Sequence, residues 1–461
     1  MTDPTTDDLS ATEIALKTEA RRAAARALRA ACPRSAHGHW KVRPKGRDVV
    51  AMLEKSSAGR LADLVPIRYG RMLKSPFAFL RGAASIMAYD LSETPTSGIR
   101  TQIGGDCHLM NFGEFGTPER NIIFDINDFD ETLPGPWEWD IKRLCASIVL
   151  AGRHRGFAEA DNQNAVLAAA HSYRDKMAEF AAMSPLQCWY SRIDADQLAQ
   201  LSSTALVSRR LAAEVMRARS QTGEALLAKT TELVDGQRRI KDTPPLLFHP
   251  QHWPGFEKQM RTVFQRYRLT VPDDRRHLLD RYKLVDVALK VVGVGSVGTR
   301  CAVALLMNDE RAPLFLQFKE ARESVLAPYV GKSAYNFQGR RVVEGQRLMQ
   351  SASDLFLGWA RQPDSGTDYY VRQLRDMKNA IDIDAVVLPE LMDYARFCGW
   401  ALARAHAKAG DAGAISAYLG KSDVIGHALV KFAVSYADQS EADHAVMAKA
   451  VKSGRLKAIA S

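Results

Sequence analysis

The sequence predicts an α+β protein in which a small strand-rich lobe is set against a large, mainly helical one. Three observations predict it. The chain has 461 residues, enough to bury roughly three-quarters of its unfolded surface and to divide into lobes. Ala- and Leu-rich charged stretches with apolar residues at helical spacing fill most of that length. Between residues 284 and 377 the character changes: KVVGVGSVGTRCAVALLM (290–307) is β-branched and punctuated by glycine, and LFLQFKE (314–320) alternates like a strand. The expected division is a basic helical N-terminal extension (1–59), a helical lobe with acidic loops (60–245), a linker and helix (246–283), the strand-rich lobe (284–377), and C-terminal helices returning to the helical lobe (378–461).

Taken in order, residues 1–10 (MTDPTTDDLS) are polar and expected to fray. An amphipathic helix over 11–31 and a basic linker follow. Lys17, Arg21, Arg22, Arg26, Arg29, Arg34, Lys41, Arg43, Lys45 and Arg47 place part of the formal charge of +10 in this stretch. A solvated helix face and a contact with an anionic partner are the two readings of those charges. Apolar patterning begins near Arg60, and SPFAFLRGAASIMAYDL (75–91) reads as a turn and a core helix, ended by residues 95–98. Ile122, Ile123, Phe124, Ile126 and Phe129 read as a buried strand running out into an acidic turn. PGPW (134–137) punctuates before a helix with Ile141, Leu144, Cys145, Ile148 and Val149 at helical spacing. Helices are expected from there to about residue 242, and PPLLFHPQHWP (244–254) is a loop and candidate boundary. In the strand-rich lobe 340–353 reads as a helix and 355–360 and 369–374 as short strands, and a long helix spans 389–408.

Several classes are disfavoured. The six cysteines are scattered, with no CxxC pair, which predicts reduced thiols and a cytoplasmic protein. No apolar run approaches the roughly 18 to 20 residues of a membrane span, and no basic region with an apolar core stands at the N-terminus. Neither a membrane span nor secretion is expected.

The chemistry concentrates in residues 104–131, GGDCHLMNFGEFGTPERNIIFDINDFDE. A fold that puts Asp125, Asp128 and Asp130 at the end of a buried strand must hydrogen-bond them, pair them or give them a cation. A second set is Gly293-Val-Gly295-Ser296-Val-Gly298-Thr299, which fits two phosphate-binding devices. The dinucleotide-binding GxGxxG opens a helix and has an acid about 20 residues on, where Glu320 stands. Residues 300–306 lack amphipathic helix spacing and read as a strand. Strand, glycine turn, strand and a further strand carrying Lys319 is the arrangement that lays a hairpin over nucleotide phosphates. A plain structural turn is the alternative. Lys319 sits in an apolar strand, where an ammonium is costly unless paired. It is either an exposed edge residue or a phosphate clamp held by a helix acid, for which Glu344 is the candidate, with Gln346 nearby. Asp106 and Asn111 have D-x-x-x-x-N spacing, and phosphoryl transfer needs a carboxylate for the acceptor and hard oxygen ligands for magnesium. His108 is expected to brace the acidic loop, and Cys107 to pack. His249 and His252 form no metal set with any cysteine. Arg81, Arg372 and Arg375 are either contacts for an anionic substrate or surface ion pairs.

GGDCHLMNFG followed by IIFDINDFDE resembles the catalytic loop and metal loop of the aminoglycoside phosphotransferase and choline kinase branch of the protein-kinase-like superfamily. PGPWEWDIKRL looks like the Asp-bearing helix start that follows the metal loop there. From about residue 60 to 439 the chain also resembles a bacterial family, domain of unknown function 2252, in SPFAFLRGAA, FDINDFDETLPGPWEWDIKRL, KVVGVGSVGTRCAVALL, RVVEGQRLMQ, YYVRQLRDMK and LARAHAKAGD. The kinase-like resemblance implies an ATP- and Mg2+-dependent transferase. Asp106 would be the acceptor base, Asn111, Asp128 and Asp130 the metal ligands, Lys319 the phosphate clamp and Glu344 its partner. Gly293, Gly295, Ser296, Gly298 and Thr299 would form the nucleotide lid. The acceptor would be a small alcohol or a protein hydroxyl. In kinases the glycine hairpin and Lys precede the catalytic loop, whereas here they follow it by roughly two hundred residues, so the expected fold is a circularly permuted protein-kinase-like one. Leu402 to His406 (LARAH) resembles the helix that normally leads into the catalytic loop, now near the C-terminus. Three alternatives stand beside this reading: nucleotidyl (AMP) transfer with ATP bound in reverse, a nucleotide-binding regulator without turnover, and a nicotinamide-dependent oxidoreductase with a helix directly after Gly298.

Overall fold

The computed structural model describes residues 11–42, 46–374 and 377–459. It is mixed α+β, with a small sheet and a large helical part. Six antiparallel strands form the sheet, in the order Gly358–Arg361, Asp368–Gln373, Pro313–Glu320, Cys301–Met307, Lys283–Lys290 and Leu247–Phe248. Side chains alternate between its two faces with period two. Leu314, Leu316 and Phe318 therefore lie under the helix Phe256–Arg268, against Met260, Val263, Phe264 and Tyr267. Phe315 lies on the other face with Ala288, Val303, Leu305 and Ile240. The same alternation puts Gln317 and Lys319 on the Phe315 face, toward the helical lobe.

Two stretches differ from expectation. Residues 246–283, read as a linker and helix, supply the sheet's edge strand and the helix that covers one face. Residues up to 242, read as helical, include a hairpin of Thr231–Val234 with Gln237–Ile240. Its turn residues Asp235 and Gly236 have φ of 49° and 75°, the left-handed pair that an Asp-Gly hairpin turn requires. With Leu226 and Leu227 of the helix Gly223–Thr230, this hairpin closes the second face of the sheet. The Ala-rich helical surroundings hid a two-residue turn signal.

In the large lobe the helices Trp137–His154, Glu159–Ala181, Leu388–Ala409 and Val424–Lys452 enclose one core. Two small hairpins pack on it, Arg100–Ile103 with Leu133–Pro136 and Phe112–Gly116 with Ile122–Ile126. Trp137–His154 is buried nearly all round, as a central helix must be, and carries Glu138 and Asp140 in its first turn, where the helix dipole favours acids. The basic helix Ala11–Ala31 docks instead of standing free. Arg29 Nε donates to Tyr418 O at 2.9 Å and Arg34 Nη1 to Leu419 O at 2.6 Å, which satisfies carbonyls at the end of the helix Ala412–Leu419. Arg47 bridges Asp90 and Asp443, with its shortest contacts at 2.8 Å and 2.5 Å. Part of the N-terminal charge is thus spent inside the fold. All six cysteines are free and buried. Among the described residues no helix is long and apolar enough to cross a membrane.

Candidate active site

The acidic side of the site is two turns, each following a strand. Arg100–Ile103 runs into Gly104 and Gly105, and Gly105 has φ +79°, which favours glycine. Asp140, in the first turn of Trp137–His154, accepts both backbone amides, Gly104 N at 2.7 Å and Gly105 N at 2.8 Å. His406, on Leu388–Ala409, donates through Nε2 to the same carboxylate at 3.2 Å and accepts from the Tyr173 hydroxyl at 2.8 Å. The turn is therefore clamped by two helices before Asp106 begins. The Asp106 carboxylate pairs with Arg143, and His108 Nε2 stands 3.9 Å away. Burial pushes the Asp106 carboxyl up to about 7, helped by Glu131 and Asp128 and opposed by Arg143. Burial, Arg81 and Arg143 hold His108 well below its ordinary range, so it is neutral. Asn111 Nδ2 donates to Asp106 O at 2.6 Å, and Asn111 O accepts from Asn127 N at 2.7 Å, tying the two turns together.

The second turn follows Ile122–Ile126. Asp125 lies on the strand itself and points into the core. It is fully buried and accepts from Arg404 Nη2 at 2.9 and 3.0 Å and from Ser351 N and Oγ at 2.8 and 2.7 Å. It is a structural anchor. Asp128 and Asp130 instead face the sheet, with side chains 33% and 27% exposed.

The basic side follows from strand register. Lys319 pairs with Tyr370 across two strands and Gln317 with Arg372, so four polar groups share one face. Lys319 Nζ donates to Asp130 Oδ2 at 2.8 Å and lies 3.5 Å from Asp128 Oδ1. The Tyr370 hydroxyl donates to Asp130 Oδ1 at 2.6 Å, and Arg372 Nη1 to Asn127 O at 3.0 Å. Burial disfavours the Lys319 ammonium, but Asp128 and Asp130 hold its pKa well above the ordinary range. Burial likewise raises Asp130, and Lys319 and Tyr370 more than offset that, leaving it below its ordinary value. Both partners are charged.

The glycine segment meets the same carboxylate, since Ser296 Oγ donates to Asp130 Oδ2 at 3.0 Å. Val294–Ser296 forms a single 3-10 turn, and Thr299 Oγ1 donates back to Ser296 O at 2.8 Å. Gly298 has φ +87° and packs on Arg60, whose Nη1 donates to Val297 O at 2.6 Å. Nothing crowds the Cα of Gly293, and a Cβ on Gly295 would meet only Arg81 O, at 3.5 Å. The chain then enters the strand Cys301–Met307, not a helix. A dinucleotide fold required a helix there, so the oxidoreductase reading falls.

Two sequence expectations are placed differently. Glu344 does not meet Lys319: it lies on the outer side of the helix Gln338–Met349, 3.8 Å from Arg340 and 3.9 Å from Arg347. Arg341 is the residue of that helix that reaches inward, to Thr132 O at 2.7 Å and to Asp130 O at 2.8 Å. Asp130, expected among the metal ligands, is the counter-ion of Lys319, and its two oxygens already accept from three side chains. Sequence reasoning missed Tyr370, Arg143 and Arg404, and marked Asp140 only as the acid of a helix start, without its role in holding the Asp106 turn. The available signals were Tyr370 in a second alternating strand and the charges of WEWDIKRL and LARAHA inside otherwise apolar helices. Arg372 joins the site, while Arg375 lies outside the described residues. His249 is remote, held by Asp286 and Asp242, whose hydrogen bonds raise its pKa.

Among the described residues no three His, Cys, Asp or Glu side chains converge as a metal cluster. Asp128, one-third exposed, and Asn111 in the adjoining turn offer hard oxygens in the small number that suits magnesium, which is commonly held by one or two carboxylates and the substrate's own phosphates. A shallow concavity of about 510 Å³ lies elsewhere, on the outer face of Phe256–Arg268, and its lining residues Glu257, Lys258, Arg261, Thr262 and Gln265 bring no buried polar group together. The model of a family described as uncharacterized proteins conserved in bacteria (DUF2252) matches residues 60–450. No curated protein and no solved structure matches.

Proposed function

The chain belongs to this bacterial family of uncharacterized proteins, and from its site we propose that it is an ATP- and magnesium-dependent phosphotransferase acting on a hydroxyl acceptor. One observation carries the reading: a lysine buried to 3% exposure crosses from the sheet to Asp130 and Asp128, beside the glycine segment and one short turn from the Asp106 loop. Buried cations, uncrowded Cα positions at Gly293 and Gly295 and a part-exposed carboxylate in one seam suit a polyphosphate and its metal. Magnesium ATP, when bound, supplies the electrophilic terminal phosphoryl and neutralises its charge. Lys319 grips phosphate oxygens, Asp130 and Tyr370 aim its ammonium and keep it protonated, and Asp128 with Asn111 holds the cation. Asp106 takes the proton of the acceptor hydroxyl. Asp140 and His406 fix the turn that presents it, so the base is positioned before substrate arrives.

We read the chain order as a circular permutation of a protein-kinase-like fold. Supporting this, the acidic turns precede the lysine strand in sequence yet face it in space, and the helix Leu388–Ala409 returns to pack beside the Asp106 loop. Incubating the protein with magnesium, a bacterial metabolite extract and ATP labelled at either the α- or the γ-phosphate tests the function. Transfer of γ-label to a product supports phosphoryl transfer. Transfer of α-label makes the protein a nucleotidyltransferase, and binding without transfer of either label makes it a regulator.

A further inference from the structure

We infer that Arg81 marks an oxyanion-binding site between the glycine segment and Asp106, built for a phosphate-type group. That group is either the terminal phosphoryl of the nucleotide or an anionic substituent of the acceptor, and only this identity rests on the phosphotransferase reading.

Other buried arginines of this protein each give at least one bond to a protein oxygen, although Arg68 Nε and Arg404 Nε and Nη1 also lack partners. Arg68 donates to Ser57 Oγ and Gly82 O, Arg143 to Asp106 and Leu80 O, and Arg404 to Asp125. Arg81, half-buried at the end of the helix Pro76–Gly82, forms no such bond among the described residues, and its Nε is buried without a partner. An Nε–H withdrawn from water without a partner is costly, and the planar guanidinium fork that carries it matches phosphate through two parallel bonds. Arg81 is not needed to neutralise Asp106, which Arg143 already holds.

Its position is what assigns the ligand. The Arg81 carbonyl adjoins Gly295, so the residue borders the glycine segment. Its side chain feels the Asp106 carboxylate and acts on His108, whose Nδ1 is also buried without a partner. Two polar groups lacking partners thus belong to the residues that border the glycine segment on one side and the Asp106 loop on the other.

The full-length protein and Arg81→Gln are titrated, with magnesium, against inorganic phosphate, ADP and the non-hydrolysable imido analogue of ATP. A loss on the order of 10- to 100-fold for the analogue, with ADP unchanged, places the terminal phosphoryl at Arg81, since a charged hydrogen bond is worth about 1.5 to 3 kcal/mol. A loss confined to inorganic phosphate added to analogue-saturated protein assigns the site to the acceptor's anion. Wild-type protein that binds phosphate but no nucleotide, with Arg81→Gln losing the phosphate, keeps the oxyanion site and removes the phosphotransferase reading. Equal affinities in wild type and variant, or a parallel loss for ADP, overturn the inference, as does wild type that binds none of the three. Should Arg81→Gln fail to fold, Arg81→Lys decides: it keeps the charge and loses the fork, and is expected to bind the affected ligand several-fold more weakly.

Discussion

Replacing Glu114 with Gln should remove a pH-dependent destabilisation of about 3 kcal/mol. Glu114 lies on Phe112–Gly116, the partner of the strand that leads to Asp128; it is 2% exposed and its Oε2 has no hydrogen bond. It lines a small cavity with Glu214, Glu390, Asp393 and Tyr394, and the neighbouring Arg210 is engaged with Glu390 at 2.8 Å. Burial, then Glu214, pushes the Glu114 carboxyl from its ordinary 4.5 up to about 7. Between those two values the folded chain holds a proton that the unfolded chain has lost. Stability is therefore complete below about 4.5, falls as pH rises toward 7, and is level above it. At about 1.4 kcal/mol per pH unit the gap amounts to about 3 kcal/mol. Urea unfolding of wild type and Glu114→Gln from pH 4.5 to 8 reads it directly. The two should be nearly equal at pH 4.5, and the variant more stable by about 3 kcal/mol at pH 8. A difference between them that does not change with pH would refute the reasoning.

Three further substitutions address the site. Lys319→Met keeps the apolar stem that covers the sheet but removes the ammonium, so magnesium-dependent ATP binding should be lost in a folded protein; native-like affinity by calorimetry returns Lys319 to a packing role. Asp128→Asn should weaken nucleotide binding at low magnesium and be partly rescued at high magnesium, and a folded variant with unchanged metal dependence removes Asp128 from the site. Asp106→Asn should lower transfer of label on the order of 10²- to 10⁴-fold while leaving ATP affinity within a few-fold, because a general base acts on the acceptor and not on the nucleotide.

Local patterns in the sequence carried much of this. A buried strand ending in acids, a glycine turn followed by a strand, and a lysine that an apolar strand forces to find a partner are all visible within a few residues. Which partner it finds is not. A helix acid nearby in sequence makes Glu344 the expected partner of Lys319, yet a step of three residues turns a helix by about 300°, and Arg341 takes the inward position while Glu344 stays outside. The pairings that decided the site, Lys319 with Asp130 and Arg404 with Asp125, join residues 189 and 279 positions apart. No spacing rule reaches that far. The Thr231–Ile240 hairpin is a different case, because its Asp-Gly turn is a legible signal set within Ala-rich, helix-like composition.

The anchoring of Asp125 by Arg404 and of Asp140 by His406 also sets a timetable for biosynthesis. Each carboxylate leaves the ribosome well before the residue that braces it, and at 5 to 20 residues per second the interval is on the order of 15 to 60 s. During that time Asp125 cannot settle in the core, since a buried carboxylate without a partner is strongly destabilising. The sheet lobe has no such wait, because its strands from Leu247–Phe248 to Asp368–Gln373 are contiguous in the chain and can pair as they emerge. The lysine strand is thus ready first, and the acidic turns close onto it only when the last helices have been made. A nascent chain released before residue 404 would carry one half of the site and expose the other to chaperones and proteases.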